Sequence, residues 1–327
     1  MDTYDPVKPF RTHSNYIDAF ATLCSGAQNR LSLSRSKIYF ECSERLKRQA
    51  ISSKGSSPNI DLTRRCLEHA WATEFLLNIQ ETLITDDEII RLSNNWNVVQ
   101  TYYVFYHATQ AVAVAKGFAR PESHPKTQVL FRSFWAERPL SIAPWSLATG
   151  HNGHINIPAT VNIDDAIHSW SACNSTSCWS LSILALRTTR EDKISEAYEK
   201  KRADKRRELK QNATTSLLKV MKLSSKEKAE IEAKTPATTL MDYLYRLRIR
   251  SNYVDSSMFS DGPEDSLSSN YLRSNLSIIC GTFLLLTELV VQDIVGSKVF
   301  NYWLDTWARN HVSERIVSNL QLRRALY

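Results

Sequence analysis

The chain has 327 residues, enough for one large domain or two ordinary ones and for a core that needs neither disulfides nor metals. Apolar residues at 43% and charged residues at 23% exclude a wholly disordered chain, and only eight glycines and ten prolines argue against a collagenous or many-turned β-sandwich protein. Forty-one Lys and Arg against 34 Asp and Glu leave a net +7, a lean towards polyanionic partners that a solvated surface also produces.

Residues 34–52 carry Ile38, Phe40, Cys42, Leu46 and Ala50 between basic residues, a helix that breaks in the Ser-rich stretch before Pro58. Asp61 is the expected N-cap of a second helix, with Leu67, Ala70, Trp71 and Phe75 at helical spacing, and residues 85–88 have the form of a capping box. Over 96–117 apolar and aromatic residues cover almost every side. Val98, Phe105 and Ala108 share one side, Val99, Tyr102, Tyr103 and Tyr106 another, and Val104, His107 and Ala111 a third. Such a helix belongs inside a bundle, and Gly117 ends it.

Residues 126–138 read as a shorter helix around Leu130, Phe134 and Trp135. Prolines and glycines punctuate 139–163, where alternation at 154–157 predicts a short strand or extended loop, and 169–180 reads as irregular. A charged helix over 188–211 has little apolar content and is expected to project into solvent or against a polyanion. Short helices follow within 214–234. Next come a helix over 239–250 with a Leu240, Tyr243, Leu244 and Leu247 stripe, a loop at 256–264, and a long buried helix over 267–295. Amphipathic helices are expected at 299–311 and 313–325. The fold class is all-α: a helical bundle centred on 96–117 and 267–295, with an inserted, partly irregular region that carries the charged helix.

Six cysteines are scattered along the chain and residues 1–11 are too polar for a signal peptide, so the thiols are expected to be reduced and the protein cytoplasmic. Cys66-x2-His69 and Cys173-x4-Cys178 differ in spacing, and His151 and His154 have no carboxylate or cysteine close beside them, so no metal and no cofactor is expected. The most apolar stretch, 278–291, is interrupted by Thr287 and Glu288 and is too short for a bilayer, so no membrane partner is expected. Phosphate-loop, dinucleotide, zincin and hydrolase signatures are absent.

Three pieces in order carry a resemblance. The first is Thr101-Tyr102-Tyr103-Val104-Phe105-Tyr106-His107-Ala108-Thr109-Gln110-Ala111-Val112, closed by Lys116-Gly117. The second is Ser123-His124-Pro125-Lys126 leading into Leu130-Phe131-Arg132-Ser133-Phe134. The third is Leu244-Tyr245-Arg246-Leu247-Arg248-Ile249-Arg250-Ser251-Asn252-Tyr253-Val254-Asp255, before the long buried helix. Together they resemble the HEPN superfamily (higher eukaryotes and prokaryotes nucleotide-binding). The resemblance implies a HEPN-like core in two halves, 96–138 and 236–327, separated by an insertion over 139–235 and preceded by a helical region over 1–95. It also implies binding of RNA, a nucleotide or a protein partner, a second copy included, within a microbial antiviral defence or toxin–antitoxin-like system.

Many ribonucleases of that superfamily carry an arginine followed, after four to six residues, by a histidine. Here Arg248 matches the arginine, but Tyr253 follows at that distance, and a phenol near pKa 10 is a poorer base at neutral pH than an imidazole near 6.5. The alternatives are a metal-independent endoribonuclease using Arg248, Tyr253 and His107, the same chemistry from Arg64 and His69, and a structural adaptor. Arg64 and His69 stand about 140° apart around their helix.

Arg248 and Arg250 flank the 239–250 stripe, placed to fork onto phosphate or to pack their stems. Asn252 and Tyr253 either fix the turn that follows or join the site. His107 is either a core histidine bonded to a tyrosine or a backbone carbonyl, or a site histidine facing Arg248. His124, on a loop, could bind a ligand, but solvent exposure is the expectation. Residues 187–210 hold ten basic and six acidic residues, with Lys201, Arg202, Arg206 and Arg207 as candidate electrostatic contacts to a polyanion. Pairs at i,i+4 such as Glu196 with Lys200 suit a solvated helix equally.

Overall fold

A computed structural model describes residues 5–27, 33–47, 58–137, 142–212, 222–311 and 319–327. Helix makes up 72% and strand 3%, so the fold is all-α. The helices in chain order are α1 (Val7–Cys24), α2 (Arg35–Lys47), α3 (Ile60–Leu83), α4 (Asp87–Leu92), α5 (Asn94–Ala115), α6 (His124–Phe131), α7 (Cys178–Asn212), α8 (Ser225–Lys234), α9 (Leu240–Ile249), α10 (Ser257–Ser260), α11 (Ser266–Val295), α12 (Ser297–His311) and α13 (Asn319–Arg324). Two π-helical turns, Arg132–Ala136 and Arg250–Val254, extend α6 and α9.

The two helices expected at the centre are there. α5 lies between α3 and α11, and Phe105 of α5 stacks on Phe283 of α11 with centroids 4.2 Å apart. Gly117, at φ +84°, turns the chain after α5 in a region that side-chain-bearing residues rarely adopt. α11 is long and apolar enough, by length and composition, to cross a membrane, which the 278–291 stretch alone is not. Within this fold 72% of its most apolar window is buried. A hydrophobic cluster runs from Phe10 through Tyr102, Trp145 and Phe283 to Leu320, joining the N-terminal helices, both expected halves of the core and the start of α7.

Several local expectations need correction. α1 appears in none of the sequence-based elements, yet it packs on α7 and α11 and brings His13 into the core. Its Pro6 and Pro9 stand at the N-cap and in the first turn, where a missing N–H costs nothing. Asn59, not Asp61, caps α3: its Oδ1 accepts from Leu62 N at 3.0 Å. Asp86 caps α4 by accepting from Ile89 N at 2.9 Å.

α7 starts at Cys178, inside the stretch read as irregular, and its first turns bury Leu181, Ile183, Ala185 and Leu186. Only its later turns form the charged surface expected for the whole helix. The loop at 256–264 contains the single turn α10. The ends of the helices expected over 34–52 and 313–325, and any helix at 214–221, fall outside the described residues.

A small antiparallel sheet ties the insertion to α9. β1 (Ala148–Gly150) pairs with β2 (Gly153–Ile155), close to the strand expected at 154–157, and also with β3 (Thr238–Thr239). Ala148 stands opposite both Ile155 and Thr239. Thr239 then caps α9 in a reciprocal box with Asp242, whose Oδ2 accepts from Thr239 N at 2.8 Å. Lys193 of α7 reaches the same carboxylate at 2.5 Å. The start of α9, and hence the direction in which Arg246, Arg248 and Arg250 project, is fixed by these contacts.

Candidate functional site

The three sequence pieces, up to 145 residues apart, meet at one place. On α5, Tyr103, His107 and Gln110 follow at i, i+4 and i+7, so they share a face two turns long. From α9, Arg248 Nη2 donates to Tyr103 Oη at 3.2 Å. The guanidinium carbon lies 5.6, 5.3 and 5.8 Å from the ring centroids of Tyr102, Tyr103 and Tyr245, a cage of π-faces that stabilises a cation. Its Nε is buried without a hydrogen-bond partner, and among the described residues no carboxylate stands at ion-pair distance.

His124 opens α6 and sits among the tyrosines, 4.9 Å from the Tyr106 centroid and 5.5 Å from that of Tyr245. Its Nδ1 lies 2.8 Å from Tyr102 Oη. Burial pushes the Tyr102 phenol far up, so it keeps its proton and its hydroxyl pairs with Nδ1 as donor or as acceptor according to the imidazole tautomer. The half-buried ring leaves Nε2 as its second polar atom. His124 itself is held below the ordinary imidazole value, first by burial and then by Arg248.

At His107 a neighbouring amide fixes the tautomer. Gln110 Nε2 donates to Pro121 O at 2.8 Å, which turns Gln110 Oε1 towards His107 Nδ1, 3.4 Å away. Nδ1 then carries the proton and Nε2 presents a lone pair. Burial, with smaller contributions from His69 and Arg120, pushes His107 down to about 4, so it is neutral at physiological pH. His69 of α3 meets it edge-on at 5.2 Å, and Tyr103 stacks on its other side at 6.0 Å. The result is a surface strip of imidazole and phenol rings with one lone-pair acceptor and one guanidinium that has no carboxylate partner among the described residues.

Of the expected site residues, Arg248 and His107 are brought together through Tyr103. Tyr253 is not part of the strip: it is 74% exposed on the second π-turn and has no hydrogen bond or ring contact among the described residues. Asn252 beside it is also exposed. Arg250 points elsewhere, donating to His13 Nε2 at 3.0 Å. His13 Nδ1 then bonds Tyr243 Oη at 3.2 Å, and burial followed by Arg250 and Arg246 pushes His13 down to about 3. Arg246 pairs with Asp192 of α7.

Arg64 pairs with Glu68 at 3.4 Å and only its partner His69 reaches the strip. On α7, Arg202 pairs with Glu199 and Arg207 with Asp204, while Lys201 and Arg206 are exposed and have no ion pair among the described residues. Lys205 is held by Glu227 of α8.

Sequence reasoning placed His124 in solvent and gave Tyr103, Tyr245, Gln110 and Arg120 no role. The i, i+4, i+7 spacing of Tyr103, His107 and Gln110 was the available signal. Among the described residues no group of three or more His, Cys, Asp or Glu could hold a metal ion. A cleft of about 300 Å3 between α1 and the start of α11, bordered by Phe10, Arg11, Asn15 and Tyr271, contains none of the strip residues.

Fold and site together define an all-α protein bearing an aromatic, arginine-containing surface strip. No protein-family model matches the chain, and comparison with curated proteins and with solved structures gives no significant match.

Proposed function

We propose that this protein binds RNA or a nucleotide at the strip, as a divergent HEPN-like protein of a microbial defence or toxin–antitoxin-like system. The observation that carries the reading is Arg248: a guanidinium held in a tyrosine cage, with no carboxylate at ion-pair distance among the described residues. Guanidinium groups so placed recognise phosphate oxygens, and the neighbouring open rings suit stacking by bases. The convergence of all three HEPN-resembling pieces on the same strip supports the family reading as well.

Fluorescence anisotropy with a labelled single-stranded RNA tests it. Arg248→Gln should weaken binding at least tenfold with an unchanged far-UV spectrum, and Arg248→Lys should recover only part of the loss because the planar fork is gone. Wild-type affinity in Arg248→Gln, or no binding by the wild type at low salt, would refute it.

One observation favours a second reading, a metal-independent endoribonuclease. His107 presents a lone pair that can take the 2′-hydroxyl proton, and His124, when both of its ring nitrogens are protonated, can give one to the leaving oxygen and return to neutral imidazole. Incubation with total RNA separates the two. Cleavage lost in His107→Ala and His124→Ala, with RNA affinity kept, establishes the enzyme; intact RNA at every pH between 5 and 8 leaves binding alone.

A further inference from the structure

We infer that the ligand of the strip is a single strand of nucleic acid laid lengthwise along α5 and gripped at two phosphates, and not one nucleotide in a pocket; this rests on the binding function proposed above. The second grip is Arg120, which lies in the loop between α5 and α6. Its Nε donates to Gln110 Oε1 at 3.3 Å, while Arg248 is anchored on Tyr103 at 3.2 Å. Tyr103 and Gln110 are seven positions apart on one face, which at 1.5 Å per residue separates the two anchor points by about 10 Å. Arg120 is exposed, and among the described residues it too has no carboxylate at ion-pair distance.

Two guanidinium groups anchored on residues two helical turns apart match an anion whose charges recur along its length. Between them lie Tyr106 and His107, with centroids 5.4 Å apart, and His124 at 4.9 Å from Tyr106. Rings spaced this closely accept flat groups one after another, which calls for bases that are not already paired and stacked. In a double helix those faces are hidden, and only sugars and phosphates would meet the tyrosines. A mononucleotide carries its phosphates at one end and leaves one arginine unused. Gln110 Oε1 also links the two halves of the strip, since it holds both Arg120 Nε and His107 Nδ1.

The test is anisotropy over a salt series with labelled hexaribonucleotide, the matching hexadeoxyribonucleotide, the RNA hexamer annealed to its complement, and AMP as competitor. Binding of either single-stranded hexamer supports the inference, and their ratio shows which sugar is preferred. Arg120→Gln and Arg248→Gln should each weaken hexamer binding five- to tenfold and lower the log–log salt slope by about 0.7, the double variant by about 1.4. Millimolar AMP should displace nothing, and the duplex should bind at least tenfold more weakly. Arg120 is exposed, so a thermal melt of Arg120→Gln should match the wild type.

Wild-type affinity and slope in Arg120→Gln, together with displacement by AMP, would overturn the strand while leaving nucleotide binding intact. Equal affinity for the duplex would overturn it too. Failure of every ligand to bind at low salt would remove both readings together.

Discussion

His13 shows how far a single buried side chain depends on its neighbours. It is 4% exposed and accepts from Arg250, so it stays neutral in the folded protein, with its pKa near 3. In the unfolded chain it titrates at its ordinary 6.5 and takes up a proton as the pH falls. The unfolded state therefore binds more protons between those values. Stability is complete above 6.5 and declines as the pH drops towards 3, by about 2 kcal/mol at pH 5. Urea denaturation at pH 7 and pH 5 should show this as a difference between wild type and His13→Gln. Comparing the two proteins cancels Glu74, which burial pushes the other way. Equal pH dependence in both would show that His13 is protonated in the fold. None of this was legible in the sequence, because the segment holding His13 showed prolines where a helix start was hidden and its partners lie 230 and 237 residues away.

At the level of elements, long apolar patterns were read well and polar or capped ones poorly. α11 and α9 lie within a residue of their expected limits because a buried helix advertises itself on every turn. α7 was half missed, since its buried start at Cys178 lies in a Ser-rich stretch that reads as loop. α2 against α11 depends on one small residue: a Cβ at Gly281 would stand 2.0 Å from Tyr39 Oη. Gly281→Ala should cost about 2–3 kcal/mol, read as a lowered thermal midpoint.

The far part of α7 carries a different expectation. With Arg202, Lys205 and Arg207 already paired, only Lys201 and Arg206 offer unspent charge among its four candidate contacts and Lys205. Lys201→Gln with Arg206→Gln should lower the salt slope for RNA by no more than about 1.4 and weaken all sequences alike. A loss confined to particular sequences would instead place this helix at the bases.

Across the whole molecule, charge is buried where the C-terminal helix α13 meets the centre. Arg323 is fully buried and forks onto Glu74 at 2.6 and 2.9 Å and Glu288 at 2.8 and 3.0 Å. Trp71 Nε1 donates to Glu288 at 2.7 Å, and the Tyr327 hydroxyl donates to the same carboxylate. One cation thus serves two carboxylates, and burial raises Glu74 accordingly. Arg323→Met should cost about 3–5 kcal/mol, because it strands two carboxylates out of water. Adding Glu74→Gln and Glu288→Gln should return part of the loss in chemical denaturation. If Arg323→Met were as stable as wild type, the cluster would have to be solvated. The all-α class and the central burial of α5 and α11 were legible from periodicity. The strip was legible only in pieces, since periodicity says which residues share a helix face and nothing about which helices face each other.

The distance in sequence between Glu74 and Arg323 has a consequence for the time course of synthesis. They are 249 residues apart, and at about 5–20 residues per second the ribosome needs tens of seconds to add that length. Throughout this interval α3 and α5 exist without the guanidinium that neutralises their neighbour carboxylate, and Tyr103 waits for an arginine 145 positions downstream. A nascent chain stalled before residue 240 should therefore be cut readily by protease within α3, while the released chain resists. On this account the strip should be completed only once synthesis has passed α9.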